Sequence, residues 1–300
     1  MAAKRINRRF GTYIRGSKMT LIIGARFRDG VILISDRKVT EFNSGKHTFE
    51  KKLQTPLNFS VVFGAAGYSH KFKQFNRMIL DLVDQRIREF KVKNISYYKQ
   101  NDIEYEEPTQ VETKIEKLTT KEIENEGSKE EEAVTAIQTP DVFIYTHELF
   151  IKDCSDLTRQ LCIGKDGIAR PDLDVLLGIH SRDRARIHHL DYLGEEQEVD
   201  FCAIGSGAAY VEIFLRKFWR EEMSIEQIIS LCFFCIFYVQ DLNLEDGVGV
   251  EINSLPDHQV VTNDGVLGVW TEIEKNKAVI LNDVQKKILG FKKQVDSLSF

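Results

Sequence analysis

The amino-acid sequence predicts an α+β fold in which two mainly antiparallel β-sheets pack face to face and helices cover their outer faces. Two observations lead to this prediction. Apolar segments rich in β-branched residues follow one another in pairs, as the strands of antiparallel hairpins do. Amphipathic helical segments, also in pairs, alternate with these hairpins along the chain. Since every element must bury its apolar face against another, the alternation favours two stacked sheets with helices outside.

The composition is that of a globular chain with a large core. Of its 300 residues, 42% are hydrophobic and 19 are phenylalanine. The net charge of −5 gives no reason to expect nucleic acid as a partner. No apolar run reaches about 18 residues, so we expect no membrane-spanning helix and no membrane partner.

The cysteines argue against a secreted, disulfide-bonded protein. There are five of them, an odd number, and they are scattered along the chain. We therefore expect a reducing, cytoplasmic location. Cys232 and Cys235 have the spacing of a redox motif, but they lie in an apolar helical run, so we expect buried core thiols.

The first predicted element is a hairpin that begins just after residue 20. Leu21–Phe27 and Val31–Ser35 are apolar and rich in β-branched residues, and Asp29-Gly30 between them is a strong turn signal. A turn centred on this pair places Asp36 opposite Ile23.

This register decides which polar groups can meet at the end of the hairpin. With Asp36 opposite Ile23, its carboxylate lies roughly 10 Å along the sheet from Thr20 and does not reach the Thr20 hydroxyl. A lysine placed between the two residues would bridge the gap. Lys51 and Lys52 arrive on the next strand-like segment.

The remaining elements follow from apolar periodicity and from turn residues. Helices are predicted over 69–90, 143–161, 208–220, 224–237 and 283–297, the fourth opened by a capping box of Ser224 and Gln227. The last helix is expected either to pack onto its own domain or to dock to a neighbouring subunit. Further strands are predicted over 47–53, 59–63, 174–180, 184–191, 201–204, 247–252 and 259–262.

The adjacent histidines His188 and His189 suggest a metal site. Neighbours on a strand point to opposite faces, however, so the two rings cannot bind one ion. We favour surface or cross-strand roles for both.

Two segments differ in composition from the rest of the chain. Residues 1–18 carry six basic residues, no acid and no apolar core of a secretory signal. We interpret residues 1–19 as a propeptide, or as an extension that results from a start codon assigned too far upstream.

Residues 95–137 form an acidic insertion that buries too little apolar surface to order itself. We expect a solvated surface loop there, with a partner-binding or gating segment as the alternative.

The first hairpin and the lysine after it resemble the N-terminus of archaeal-like proteasome β-type subunits. These subunits belong to the N-terminal-nucleophile (Ntn) hydrolases. In that family a threonine opens the first strand, an aspartate ends the second, and a lysine follows on the third. Here Thr20 and Asp36 are 16 residues apart, and Thr20 and Lys52 are 32 apart, which matches the family without a gap. Gly205-Ser206-Gly207 matches the family's Gly-Ser-Gly turn before a helix.

The resemblance implies a four-layer α-β-β-α sandwich, with residues 20–300 as a single domain, and threonine-type peptidase activity. Thr20 would be the nucleophile and its own α-amine would be the base. A free α-amine has a reference pKa of about 7.7 to 8.0, close to neutrality. Lys52 would be a fixed positive charge near the amine, Asp36 would orient that lysine, and Ser206 would hydrogen-bond the amine. The family usually has glycine before the threonine. Here Met19 precedes it, and methionine removal after an internal start would expose the same residue.

Two further regions are compared with the family in the same way. Backbone N–H groups near Ala66 and Gly67 would form the oxyanion hole, at a place where the family usually has Gly-Gly. The family also has an Arg-Asp-x-x-Ser-Gly segment whose Asp and Ser contact the nucleophile. One alignment puts Asn243 where the family has its Asp and Asp246 where the family has its Ser. Another alignment, with a two-residue insertion, puts Asp241 at the position of the family's Asp. The usual serine is missing in both.

The sequence leaves three alternatives for the function of the protein. The first is a proteasome-like threonine peptidase that acts on peptides or proteins in a homo- or hetero-oligomeric ring, with no cofactor and no metal. The second is a stand-alone Ntn amidase or transpeptidase. The third is a catalytically inactive structural subunit, which is favoured if residues 1–19 remain attached and Thr20 has no free amine.

Overall fold

The computed structural model describes residues 20–40, 47–56, 60–100, 146–181, 184–241, 248–249, 254–262, 265–267 and 277–297. The chain divides into two compact units, one of residues 1–81 and 147–300 and one of residues 82–146. The sheets of the described residues lie in the first unit, and residues 82–100 of the second unit are helical.

The described residues form twelve strands and five helices. The strands are β1 (Leu21–Phe27), β2 (Gly30–Ser35), β3 (Lys38–Thr40), β4 (His47–Phe49), β5 (Leu53–Gln54), β6 (Val61–Gly67), β7 (Leu173–Ser181), β8 (Arg184–Leu190), β9 (Glu196–Val199), β10 (Phe201–Gly205), β11 (Asp257–Thr262) and β12 (Gly265–Leu267). The helices are α1 (Ser69–Gln100), α2 (His147–Cys162), α3 (Ala208–Phe218), α4 (Ile225–Asp241) and α5 (Lys277–Ser297).

The strands form two five-stranded antiparallel sheets and a small two-stranded one. The first large sheet has the order β10-β1-β2-β11-β12, and the second has the order β5-β6-β7-β8-β9. Strands β3 and β4 pair with each other. The predicted antiparallel character of the two main sheets is therefore confirmed.

The two large sheets pack on each other through aliphatic side chains. Ile22 and Leu33 of the first sheet lie in one buried cluster with Val62, Leu176 and Ile187 of the second. Strands β1 and β2 are buried on both faces, which explains why they read as continuous apolar runs and not as an alternating pattern.

Helices α3, α4 and α5 cover the other face of the first sheet. Their buried side chains join those of β1, β2 and β11 in a second cluster, which includes Ile23, Ile34, Leu215, Phe233 and Ile288. Val284 and Ile288 place α5 on its own domain, so this alternative for the last helix is confirmed. On the outer face of the second sheet, the ring of Phe63 lies 5.9 Å from that of Phe75 and 6.3 Å from that of Phe150.

The predicted register of the first hairpin was wrong by two residues. The turn consists of Arg28 and Asp29, and Phe27 pairs with Gly30. Asp36 is therefore opposite Leu21 and not Ile23, because its N–H donates to the Leu21 carbonyl at 3.0 Å. Gly30 is not among the glycines with positive φ. It begins the strand instead, where only a residue without Cβ fits beside β11.

Several other boundaries also differ from the predictions. The predicted arm 47–53 is divided, since β4 pairs with β3 while β5 pairs with β6. Helix α1 continues ten residues beyond Phe90 to Gln100, so the first part of the 95–137 insertion is helical. Helix α3 ends at Phe218, and α5 begins at Lys277 rather than 283. Strands β3, β9 and β12 were not predicted.

Three predicted features lie wholly or largely outside the described residues. These are the segment 1–19, the insertion from residue 101 to 137, and the strand 247–252, of which only Val248 and Gly249 are described and neither is in a strand. The hairpin of β7 and β8 and the Ser224–Gln227 capping box are confirmed. The Ser224 N–H donates to Gln227 Oε1 at 2.9 Å, and the Gln227 N–H donates to Ser224 Oγ at 3.4 Å.

The cysteines and the two histidines behave largely as the sequence indicates. All five cysteines are free and buried, which confirms Cys232 and Cys235 as core thiols. Burial raises the pKa of the Cys235 thiol to about 12. His188 is buried, with Nδ1 2.7 Å from Glu196 Oε1, so it has the cross-strand role rather than a surface one. Among the described helices, none combines the length and the apolarity that crossing a membrane requires.

A substitution at Gly30 tests the corrected register. A Cβ added there would lie 2.2 Å from the Val261 carbonyl oxygen, so Gly30→Ala should lower the free energy of unfolding by about 1–3 kcal/mol or more. Gly290→Ala is the matched control. Nothing lies within 4 Å of a Cβ added at Gly290, which is inside helix α5.

We expect Gly290→Ala to raise stability by about 0.5–1 kcal/mol, because alanine is the better helix former. Urea unfolding of both variants and the wild type measures the difference. A neutral Gly30→Ala variant would contradict the close approach of β2 and β11.

Candidate active site

The centre of the candidate site is a buried ion pair between Lys52 and Asp36. Lys52 lies just before β5, and Asp36 follows the last residue of β2. The Lys52 Nζ donates to Asp36 Oδ1 at 2.7 Å and to the Lys38 carbonyl at 2.7 Å. The side chains are 2% and 0% exposed, respectively, so the pair is withdrawn from water. The resemblance implied that Asp36 orients Lys52, and this geometry agrees with that expectation.

Asp36 also accepts hydrogen bonds from three backbone N–H groups. Its Oδ1 accepts from Leu21 N at 2.8 Å. Its Oδ2 accepts from Lys38 N at 3.2 Å and from Gly249 N at 3.3 Å. Each carboxylate oxygen therefore has two donors, which compensates for the loss of hydration.

Thr20 is positioned through the peptide unit that joins it to Leu21. The N–H of this unit donates to Asp36, as described above, and its carbonyl accepts from Ser206 N at 2.9 Å. The same carboxylate that binds the Lys52 ammonium thus binds the residue next to Thr20. Thr20 itself is half-buried. The predicted register had put Asp36 too far away for this contact.

The Gly205-Ser206-Gly207 turn approaches Thr20 more closely than any side chain would allow. Gly205 has φ of +88°, and a Cβ added to it would lie 1.7 Å from the Thr20 carbonyl oxygen. Gly207, with φ of +81°, caps the start of α3. Two glycines in the left-handed region are needed here so that the Ser206 N–H can face Thr20.

Ala66 and Gly67 end strand β6 beside this turn. A Cβ added at Gly205 would lie 3.0 Å from the Cβ of Ala66, so Ala66 lies near the Thr20 carbonyl. Gly67 has φ of +147°, and a Cβ added to it would lie 2.0 Å from the Asp172 carbonyl oxygen. The conformation at Gly67 therefore requires glycine, whereas alanine is accommodated at position 66.

Of the three supporting candidates near the end of α4, only Asp241 lies among the described residues. Asp241 is the last residue of α4 and is exposed. Asn243 and Asp246 lie outside the described residues. The part of this region that does reach the ion pair is Gly249, whose N–H binds Asp36 and whose carbonyl accepts from Arg37 N and Lys38 N at 3.0 Å each.

Sequence analysis missed a second carboxylate, Asp257, which begins β11. Its Oδ2 accepts from Lys52 N and from Leu53 N, each at 3.1 Å, and the residue is 6% exposed. Asp257 pairs with Ser35 in the sheet, so it lies beside Asp36 on the neighbouring strand. The available signal was a lone acidic residue two positions before the predicted strand 259–262.

Burial is the largest influence on the protonation of the ion pair. It raises the pKa of Asp36 above its ordinary value, against the ammonium of Lys52 and the hydrogen bonds from Leu21 and Gly249. It lowers the pKa of Lys52, against the negative charges of Asp36, Glu50 and Asp257. Each charge therefore depends on the other to remain ionised in the core.

The arrangement contains the groups that proton-transfer chemistry at Thr20 would need. Within the described part of the chain, no three His, Cys, Asp or Glu side chains are grouped as metal ligands. What the site offers is a fixed cation, a carboxylate that orients it, and a hydroxyl residue held at the adjacent peptide.

Comparison with known proteins points to the same family as the N-terminal pattern. Residues 173–253 match the family model described as proteasome subunit. This region runs from β7 to just beyond Gly249 and includes the Gly205-Ser206-Gly207 turn, but it does not include Thr20, Asp36 or Lys52. The match supports a proteasome-like family. No curated protein matches the chain.

Removing the cation tests how far the site depends on the ion pair. In Lys52→Met, Asp36 stays buried without its partner, and we expect the free energy of unfolding to fall by about 3–5 kcal/mol near neutral pH. Burial raises the pKa of Asp36, and in this variant the ammonium of Lys52 no longer opposes that rise. The stability that Asp36 contributes in the variant is therefore fully present below the pKa of the unfolded state and is lost as pH rises through the pKa of the folded state.

The loss in Lys52→Met should therefore be larger at about pH 8 than at about pH 5 in urea unfolding. Lys51→Met is the control, since Lys51 is exposed and its loss should change stability by no more than about 0.5 kcal/mol. Equal losses from the two variants would show that the buried pair carries no stability.

Proposed function

We propose that this protein is a threonine-type amide hydrolase of the Ntn class, resembling proteasome β subunits and acting on peptides. One observation carries the proposal. The carboxylate of Asp36 binds the Lys52 ammonium and the N–H of the Thr20–Leu21 peptide with the same oxygen, at 2.7 Å and 2.8 Å. This contact links a buried cation to the peptide that Thr20 shares with Leu21, and it supports the assignment of Thr20 as the nucleophile.

In the proposed reaction Thr20 supplies both the nucleophile and the base. The Thr20 Oγ attacks the carbonyl carbon of the substrate amide while its proton passes to the free α-amine of the same residue. The tetrahedral oxyanion then collapses, the C–N bond breaks, and the amine gives the proton to the leaving nitrogen. The ester left on Thr20 is hydrolysed by water through the same proton route, which restores the hydroxyl.

Lys52 is proposed to act by its charge rather than as the base. A positive charge near the α-amine disfavours the ammonium form of that amine and so favours the neutral base. Asp36 orients the lysine and compensates for its burial. Ser206, whose N–H already binds the Thr20 carbonyl, is proposed to hydrogen-bond the amine through its side chain.

The oxyanion is proposed to bind at the end of β6. Ala66 lies beside Gly205, which is in contact with the Thr20 carbonyl, and this proximity supports N–H groups near Ala66 and Gly67 as donors to the substrate oxygen. Asp241, Asn243 and Asp246 remain candidates for supporting contacts from the region after α4.

The proposal requires that residues 1–19 be removed. While they remain attached, the Thr20 nitrogen is part of an amide, which is not a base. Removal of a propeptide, or removal of Met19 after an internal start, would give the same free Thr20 amine.

The same proposal covers the architecture and assembly. The packing of α3–α5 on one sheet and of Phe75 and Phe150 on the other supports a four-layer α-β-β-α order within a single domain of residues 20–300. The family match over 173–253 supports a ring-like oligomer that acts on peptide or protein substrates, and a cytoplasmic location.

A catalytically inactive structural subunit is the second candidate. The observation that favours it is that the family match covers 173–253 and leaves out the segment with Thr20 and Lys52. The serine that the family carries after α4 is also absent from this sequence.

Thr20 variants of a chain that begins at this residue test the hydrolase proposal. Thr20→Ala should lower kcat/KM for fluorogenic peptides by about three orders of magnitude or more, because no other described group replaces the nucleophile. Thr20→Ser keeps a hydroxyl and should retain measurable turnover. Thermal melting of each variant checks that the fold is unchanged.

Labelling with a peptide boronate gives a readout that does not need turnover. Mass spectrometry should detect an adduct on Thr20 only when its amine is free. Full turnover in Thr20→Ala would overturn the nucleophile assignment. A folded chain that begins at Thr20 and neither turns over peptides nor binds the boronate would favour the inactive subunit.

A further inference from the structure

Asp257 is a buried carboxylate beside the ion pair, and the proposed mechanism does not use it. It lies at the head of β11, almost fully buried, and is opposite Ser35 of β2. Its side chain does not contact the Lys52 ammonium. It accepts the backbone N–H of Lys52 and that of Leu53, both through Oδ2 at 3.1 Å.

Lys52 is therefore held at both ends by carboxylates from two adjacent strands. Asp36 follows β2 and binds the ammonium, while Asp257 begins β11 and binds the main chain. The segment between β4 and β5 connects the small sheet with the second large sheet, and Lys52 lies in it without being part of a strand. Strand pairing therefore does not fix the Lys52 backbone, and the two hydrogen bonds to Asp257 do.

The placement also has an electrostatic effect on the lysine. The negatively charged groups that act on Lys52 are Asp36, Glu50 and Asp257, and they oppose the effect of burial on its pKa. Glu50 is half-buried and close to Lys73, with 3.2 Å between the charged atoms. Among the described residues, no ion pair joins Asp257 to a cation, and its charge is one of the three that act on Lys52.

We propose that Asp257 is a positioning residue for Lys52, which fixes the backbone of the lysine and helps to keep its side chain positively charged. The catalytic consequence rests on the proposed function, in which the charge of Lys52 favours the neutral Thr20 amine. The effect of Asp257 on Lys52 itself does not depend on that function.

Two variants separate the geometric effect from the electrostatic one. Asp257→Asn keeps an oxygen that accepts both N–H groups and removes the charge. Asp257→Ala removes the acceptor as well. Asp200→Asn is the matched control, since it also removes one carboxylate charge, next to Arg26 near the opposite end of β1. Thermal melting establishes which variants fold.

The direct test is an NMR titration of protein labelled with ¹³C at the lysine Cε, with the Lys52 signal assigned by Lys52→Arg. In Asp257→Asn we expect the midpoint of the Lys52 titration to move to lower pH, because a negative charge that raises the pKa of Lys52 has been removed. Asp200→Asn should leave the midpoint unchanged. The same midpoint in Asp257→Asn and the wild type would overturn the proposal.

Kinetics then test the catalytic consequence with the chain that begins at Thr20. In Asp257→Asn the alkaline limb of the kcat/KM profile should shift in the same direction as the Lys52 midpoint, with KM unchanged. In Asp257→Ala we expect kcat to fall by about 10- to 100-fold, since the lysine is no longer held in place.

The two readouts distinguish the failure of this inference from that of the proposed function. An NMR shift in a protein without peptidase activity would support the role of Asp257 and contradict the hydrolase. An active enzyme whose Asp257→Asn variant shows neither the NMR shift nor the changed pH profile would contradict the role of Asp257 alone.

Discussion

The burial of a lysine ammonium and an aspartate carboxylate is the constraint on which this part of the structure depends. Withdrawing two such ions from water costs several kcal/mol each, and their mutual attraction repays this only when the remaining hydrogen-bonding positions are filled. Here Asp36 has four donors, which come from the start of β1, from the residues after β2, from the segment before β5 and from Gly249. These distant segments must all meet before the pair is satisfied. The ion pair therefore specifies how the ends of the strands come together, even if its net contribution to stability is small.

The apolar packing supplies the rigid frame for these polar contacts. Strands β1 and β2 are buried on both faces, one against the second sheet and one against the helices. A slip of register would move Asp36 away from Leu21 and turn apolar side chains to the wrong faces. Gly30 and Gly205 allow backbones to approach where any Cβ would collide with a carbonyl oxygen. The position of Thr20 is thus fixed by the hydrogen bonds of its carbonyl and of the Leu21 N–H.

Much of the fold could be predicted from local sequence, because the apolar runs and the capping box at Ser224 are short-range signals. The contact between Asp36 and Lys52 was instead implied by the resemblance of their spacing from Thr20 to that of a known family. The register of the first hairpin was wrong because Asp29-Gly30 was interpreted through the conformational freedom of glycine, whereas Gly30 serves a close contact with a strand more than 200 residues away. Asp257 was missed for a similar reason. It accepts the backbone N–H of Lys52, which is 205 residues away in the sequence. Because any residue has a backbone N–H, such a contact gives no recognisable residue pattern.

The fixed peptide between Thr20 and Leu21 has a consequence for what a new chain end at Thr20 would be like. The first residues of a protein commonly fray, because an exposed terminus gains conformational entropy when its few contacts are broken. A terminus at Thr20 would differ, since β1 lies between β2 and β10 and its first peptide unit is bonded on both sides. The chain would begin in the interior of a sheet instead of at its edge. Its α-amine would then lose little conformational entropy on forming a reactive geometry, because the chain end would already have been ordered when the protein folded.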